Sequence, residues 1–443
     1  VQKSTLLLLA LLVLTPALFL RPPSRQQELR VLITGRNMLE SGDPFRPEFQ
    51  NQPRFRKPPL AYWLAASSMG LSGIHNEAWA ARLPFAAAAL GCFALLLRLG
   101  GPSGPWAALL FLFSFGFWRY APLAETDILQ LFGILLTFHA YRERQGWLCG
   151  LAISIAFLAK GPAAIAIPLT TALLAKLLAP HSSLPTRHSS LVTRHSTFLL
   201  SLLLPLLPSL AWLLFLFLDP IARDALSREL RDTFVNSPHA NPWYYYFYTG
   251  PLMLLPGLLL LLPALRRKAS SPARLSLPHV WFFATFLLLS IVESKQRHYA
   301  LLLLPPACLL LGDVLHRRGL SPRLRIALPL ALLLALAEIP RAQHDPWNHH
   351  RAFLREARRT LSETATLHVA GINSAFFDFH LGRHVENTDS ARDAITRARP
   401  GDAVFILHKR EHFDAADLAL APLAAADDAH WIRRAYASPL PKP

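Results

Sequence analysis

At 443 residues the chain could hold two or three soluble domains, but 52% of it is hydrophobic, only 16% is charged and mean hydropathy is +0.30. That is too little charge to solvate so much surface, which excludes a cytosolic enzyme and a disordered chain. A net charge of +17 with pI 10.4 fits anionic lipid or a phosphate-bearing substrate better than nucleic acid in so apolar a chain. Cys92, Cys149 and Cys308 all lie inside apolar blocks, against a disulfide framework or a thiolate metal site.

The first apolar block, Thr5 to Leu20, follows Lys3 and precedes a bulky, charged RPPSRQQE with no small-residue cleavage site, so it reads as a retained span. Further blocks follow at 83–99, 104–118, 126–141, 147–160, 161–179, 197–218, 249–265, 278–293, 299–316 and 324–340. At ~1.5 Å per residue across a ~30 Å core this predicts an all-α polytopic membrane protein of about 11–13 transmembrane helices. Ala61–Leu71 is apolar on one side only and reads as interfacial. Short basic joints (Arg98; Arg142 and Arg144; Lys176, Arg187 and Arg194; Arg266, Arg267, Lys268 and Arg274; Arg317, Arg318, Arg323 and Arg325) read as cytoplasmic anchors. The opposite joints carry Glu28, Glu40, Asp43, Glu125, Asp127, Glu229, Asp232 and Glu293 among basic and aromatic residues, as a polar cavity at one face would.

Residues 1–340 thus form a membrane domain with a long external loop at 21–82. From 341 to 443 the character shifts to a small α/β domain, expected on the extracytoplasmic face. In it LHVAGIN, AFFDFHLG and AVFILHKR read as β-like runs, and REARRTLSE and DSARDAITRAR as helical. In the loop, Arg25 to Glu40 predicts a helix along the membrane surface, stopped by the glycine of SGD, before KPPLAYWL brings Tyr62 and Trp63 to headgroup depth. The histidines of HSSLPTRHSSLVTRH read as a duplicated polar linker with spacing unsuited to one metal site.

Several pieces of this sequence occur together in one family. They are Glu28-Leu-Arg30, Arg36-Asn-Met38, Ser41-Gly-Asp43, Lys57-Pro-Pro-Leu-Ala-Tyr-Trp-Leu64 and Ala81-Arg82-Leu-Pro84, followed by Arg119 to Asp127, Leu158 to Pro162 and Ser294 to Tyr299. In that order, over about residues 5–316, the chain resembles the polyprenyl-phosphate-dependent glycosyltransferases of GT-C fold, which include the 4-amino-4-deoxy-L-arabinose transferases of lipid A and the protein O-mannosyltransferases. It departs from the arabinose transferases at Gln27-Glu28, where they carry Asp-Glu, and at Arg56-Lys57, where they carry Glu-Lys.

The resemblance implies an inverting transferase that moves a sugar from a polyprenyl-phosphate donor to an extracytoplasmic acceptor, whether lipid, protein or glycan. Its expected setting is the bacterial inner membrane, with the site on the extracytoplasmic face, membrane lipids as partners and no nucleic acid. The leaving phosphate is already a stable anion, so the site needs a carboxylate for the acceptor hydroxyl and cations for the phosphate. Glu28 is the expected base with Asp127 as its partner; Lys57, Lys160, Lys295 and Arg297, with Arg56 nearby, are the phosphate cations. Arg228, Arg231 and His239 match positions that close over the donor in the family, and Tyr299 is a hydrogen-bond donor to phosphate or sugar. No cofactor is required and no acidic cluster demands a divalent metal.

Each of these residues also has an ordinary structural role open to it. Glu28 suits a solvated helix face beside Arg30, Lys160 a snorkelling stop between spans, and Lys295 and Arg297 flanking anchors. Arg36 and Arg54 read as structural or rim residues, and Trp243 to Tyr246 as an aromatic belt. Two other functions compete. A transporter or flippase of lipid-linked sugars predicts repeated halves and midplane charges, against charges here at span ends. A non-catalytic family member is the reading that Gln27 keeps open.

Overall fold

The computed structural model describes residues 2–178, 200–234, 239–266, 276–359, 366–371, 374–388, 391–399, 402–409, 424–425 and 431–437. The polar histidine linker at 181–195 lies outside them, as do Arg187, Arg194, Arg267, Lys268 and Arg274. The chain forms two compact units: residues 1–18, 54–61 and 82–336 make the first, and 19–53, 62–81 and 337–443 the second.

The described residues of the first unit are mainly helical. Its early helices are α1 (Lys3–Leu20, continuing into the second unit), α4 (Ala78–Leu99, mostly here), α5 (Gly104–Leu112) and α6 (Phe115–Tyr120). Then come α7 (Thr126–Arg142), α8 (Gly146–Lys160) and α9 (Ala163–Leu178). Among the described residues, Lys3–Leu20, Ala78–Leu99, Leu200–Leu218 and Arg297–Arg317 are long and apolar enough to cross a membrane, and Gly146–Lys160, Ala163–Leu178 and Leu277–Ile291 are shorter apolar helices. The expected span at 104–118 breaks after Phe113, where Ser114 turns extended and its hydroxyl caps the amide of Phe117. The segment 200–218 keeps Leu204, Leu207, Leu214 and Leu218 more than half exposed, as a lipid-facing surface does.

Basic joints also tie helix ends. Arg142 donates through Nη1 to the carbonyl of Leu99 at 2.9 Å, and Arg318 to that of Ala264. These carbonyls are ones that a helix terminus leaves without intrahelical partners. Arg82, fully buried, does the same for Leu18 at 3.1 Å.

In the second unit, α2 spans Gln26–Ser41 and stops where Gly42 adopts φ 71°, the glycine stop that the sequence predicts. It does not lie as a surface helix with one apolar stripe. Glu28, Thr34 and Arg36 are buried together with Leu29, Val31, Leu32, Ile33 and Met38. Helix α3 (Leu60–Ser72, mostly in this unit) crosses it so closely that a Cβ on Gly35 would stand 2.9 Å from that of Ala65. Tyr62 is buried, while Trp63 donates its indole hydrogen to the carbonyl of Pro44 at 2.7 Å.

The same unit holds the short antiparallel pair β1 (Glu48–Phe49) and β2 (Gln52–Pro53), and a sheet of β3 (Leu367–Gly371), β4 (Glu386–Thr388), β5 (Ala403–Lys409), β6 (Ala424–Ala425) and β7 (Trp431–Ala437) in the order β4-β3-β5-β7-β6. Strand β3 pairs parallel with β4 and β5, and β7 pairs antiparallel with β5 and β6. Helices Ser374–Leu381 and Ala391–Arg397 make the crossovers that parallel neighbours require. Ala370, Ala394, Ile395, Val404, Ile406 and Tyr436 form the core.

One β-like run is overturned: AFFDFHLG is the helix Ser374–Leu381, with Ala375 to Leu381 buried on every side. A short apolar run enclosed all round has no period to separate helix from strand. Buried ion pairs fasten this unit. Arg21 binds both oxygens of Glu338, and Arg36 binds Asp378 at 2.5 Å while donating to the carbonyls of Asp378 and Phe379 at 3.0 and 3.3 Å.

Candidate active site

The polar centre of the first unit is built by a helical hairpin. Helices α7 and α8 run antiparallel, joined by a three-residue turn in which Arg144 takes φ 56°. The start of α7 and the end of α8 therefore lie at the same end. Their spacing is set by Gly133, where an added Cβ would meet the Ala156 Cβ at 2.6 Å and the Ala152 carbonyl oxygen at 2.7 Å.

Asp127 sits in the first turn of α7 and Lys160 is the last residue of α8, so each charge complements the dipole of its own helix end, worth ~0.3–1 kcal/mol. Gly161 then takes φ 101° and ψ −148°, a conformation that is essentially glycine-only, and turns the chain sharply into Pro162 and α9. This is why Leu-Ala-Lys-Gly-Pro delivers its lysine to a fixed point.

Lys160 Nζ contacts Asp127 Oδ1 at 2.5 Å, with both side chains 11% exposed, and lies 4.5 Å from the centre of the Tyr299 ring. A cation over such a face gains ~0.5–2 kcal/mol. His298 points its Nε2 at the same Asp127 oxygen from 4.0 Å, with its ring 4.6 Å from that of Tyr299 and 6.3 Å from that of Tyr120. Tyr299 hydrogen-bonds the Ser294 side chain and lies within electrostatic reach of Lys57, Asp127 and Glu229. Lys57 Nζ in turn contacts Glu229 Oε1 at 2.6 Å, and Arg56 Nε contacts Glu229 Oε2 at 3.1 Å.

Asp127, Lys160, Tyr299 and Lys57, with Arg56 at the edge, are thus brought together. The other expected residues are placed differently. Lys295 is buried, and its ammonium donates to the Val292 carbonyl at 2.6 Å rather than to a carboxylate. Burial pushes that ammonium below the ordinary lysine range, with Glu293 opposing. His239 uses its backbone carbonyl to accept from the Lys295 amide at 3.0 Å, leaving its ring exposed. Arg297 and Arg231 are exposed, and Arg228 pairs with Asp224 one turn away. Glu28 belongs to the second unit, where it is fully buried.

Two members of the cluster, His298 and Glu229, escaped selection as site residues. The signal for His298 was present in Ser294 to Tyr299. The chain enters a 3₁₀ turn at Arg297, which leaves Arg297 exposed and turns residues 298 and 299 inward. Glu229 is an acid between Arg228 and Arg231 in sequence, and only the fold brings it to Lys57. Among the described residues no group of three His, Cys, Asp or Glu side chains is placed to hold a metal ion.

No family model matches the chain. An uncharacterized protein of Aquifex aeolicus is 28% identical over 308 residues, covering 65% of this chain and 58% of that protein. The undecaprenyl phosphate-alpha-4-amino-4-deoxy-L-arabinose arabinosyl transferase of Aeromonas hydrophila is 28% identical over 320 residues, covering 66% and 56%. That of Pectobacterium carotovorum is 30% identical over 354 residues, covering 73% and 60%. The chain therefore spans less than two thirds of the length of these curated relatives. Among solved structures, ArnT from Cupriavidus metallidurans bound to undecaprenyl phosphate matches with TM-score 0.71 and 18% identity over 99% of both chains, which establishes a shared fold.

Proposed function

We propose, from a chain that belongs to the polyprenyl-phosphate-dependent GT-C glycosyltransferases, that it transfers a sugar from a polyprenyl-phosphate donor to an extracytoplasmic acceptor with inversion. The observation that carries this reading is the convergence of Lys57, Lys160 and Asp127 on Tyr299. Two ammonium groups at the end of a helical hairpin are the donors that a phosphate needs as the bond to the sugar carbon breaks and its electron pair passes to the phosphate oxygen. Asp127 holds Lys160 in place, and the half-buried Tyr299 ring orients it while offering a hydroxyl to phosphate or sugar.

Glu28 is the proposed base for the acceptor hydroxyl. Its removal is expected to cost about 10²–10⁴-fold in rate. The test uses the purified protein with a polyprenyl-phosphate sugar and follows sugar release. Lys160→Met is expected to raise the KM for the donor and lower turnover, and Glu28→Gln to lower turnover with little change in donor affinity. Unchanged transfer by Lys160→Met would exclude this site as the place of reaction. Unchanged turnover by Glu28→Gln would leave Asp127 as the carboxylate to test.

A further inference from the structure

Glu229 lies in the cation cluster, yet the transfer just described gives it no task. Its two oxygens face two different cations, Lys57 at 2.6 Å and Arg56 at 3.1 Å, from the helix Pro220–Phe234 on the far side of the sequence. Its side chain and that of Lys57 are each about three quarters buried, so the contact is not an ordinary surface pair of negligible consequence. At this contact the two cations Arg56 and Lys57 face the one carboxylate of Glu229, which leaves a surplus of one positive charge on the pair.

That surplus matches one ligand charge and not two. A sugar joined to a polyprenyl phosphate is a phosphodiester with a single negative charge. Once the bond from the sugar carbon to the phosphate oxygen has broken and the sugar has joined the acceptor oxygen, the lipid is a phosphate monoester. With a second pKa near 6, it carries ~1.5–2 negative charges at neutral pH. Substrate and product therefore differ by about one charge at the same cations.

We infer that Glu229 sets the selectivity of the cation pair for the singly charged donor over the more highly charged lipid product, and so promotes product release. The inference rests on the proposed polyprenyl-phosphate site. Glu229 repels both lipids across a few ångströms of partly buried protein, where screening is weak, but the donor, with one charge, feels only about half to two thirds of the repulsion that the product feels. Its carboxylate also keeps Arg56 and Lys57 together before lipid arrives, so it acts as a specificity-determining residue rather than as an acid or base in the transfer.

The test compares binding of undecaprenyl phosphate with that of its methyl diester, measured on the full chain in detergent at neutral pH. Glu229→Gln is expected to tighten the monoester by roughly threefold to tenfold and the diester by only about the square root of that factor, roughly twofold to threefold. Arg56→Gln, which removes one positive charge instead, shifts the ratio the opposite way and supplies the test if Glu229→Gln does not stay monodisperse. An unchanged or weakened monoester, equal tightening of both lipids, or a ratio unmoved by Arg56→Gln overturns the inference. Lys57→Met separates this from the parent reading. If it weakens both lipids while Glu229→Gln leaves their ratio alone, only the selectivity idea fails; if wild type and Lys57→Met bind undecaprenyl phosphate alike, the phosphate site itself fails.

Discussion

Gly133→Ala tests whether helix spacing, rather than the charged groups alone, makes the cation site. The methyl group would stand 2.6 Å from the Ala156 Cβ and 2.7 Å from both the Ala152 carbonyl and the Ala156 amide nitrogen. Two of those three neighbours are backbone and have no rotamer in which to retreat, so α7 and α8 must separate by about an ångström to reach ordinary contact. Overpacking of this kind costs about 1–3 kcal/mol. Asp127 lies six residues along α7 from the contact and Lys160 four along α8, roughly 9 and 6 Å at ~1.5 Å per residue. A separation that size carries their 2.5 Å contact beyond hydrogen-bond length. The expected result is a lower thermal midpoint in detergent together with weaker donor binding, though no polar atom has changed. A variant as stable as wild type with unaltered donor affinity would refute the claim that this interface sets the site.

Three further outcomes concern the second unit. Arg36→Met removes one partner of an ion pair whose side chains are each 3% exposed, and stranding a buried charge typically costs about 3–5 kcal/mol. With His384 still 3.6 Å from Asp378, the lower end is expected, read from denaturation midpoints. His380 is held well below its ordinary value of 6.5 by burial and by Arg351, Arg355 and Arg36. The stability it contributes is present above that value and lost as pH falls, so His380→Phe should flatten the acid limb of the stability profile. His384 is raised by its hydrogen bond to Asp378, so its contribution is present below 6.5 and lost as pH rises through the folded value; His384→Gln should flatten the alkaline limb.

The apolar blocks were legible because bilayer thickness fixes both their length and their composition, and α1, α4, α7, α8 and α9 fall on them. Breaks within blocks, as at Ser114, were not, since nothing in a continuous apolar run marks where it bends. Lys160 was readable because a glycine follows it directly and then a proline. The inward turn of His298 was not, because it depends on whether the chain enters a 3₁₀ turn at Arg297 or one residue later. Glu229 was out of reach in a different way: its partners Arg56 and Lys57 are more than 170 residues away, and no local pattern announces a pairing made by tertiary folding. In the second unit β3 and β5 were visible as apolar runs, whereas β4 and β7 were hidden by the polar residues of Glu386–Thr388 and by Arg433 and Arg434.

The second unit is stitched from three stretches of chain, with residues 82–336 between the last two. A ribosome adding ~5–20 residues per second needs roughly ten to fifty seconds to make that intervening portion. Until it has done so, Arg36 has no Asp378 and Arg21 has no Glu338. The early hairpin of α2 and α3 must therefore wait, its buried faces uncovered, while the spans after it are inserted. Biogenesis of this protein is thus a race between completion of the carboxyl-terminal half and capture of an unfinished surface by chaperones or proteases.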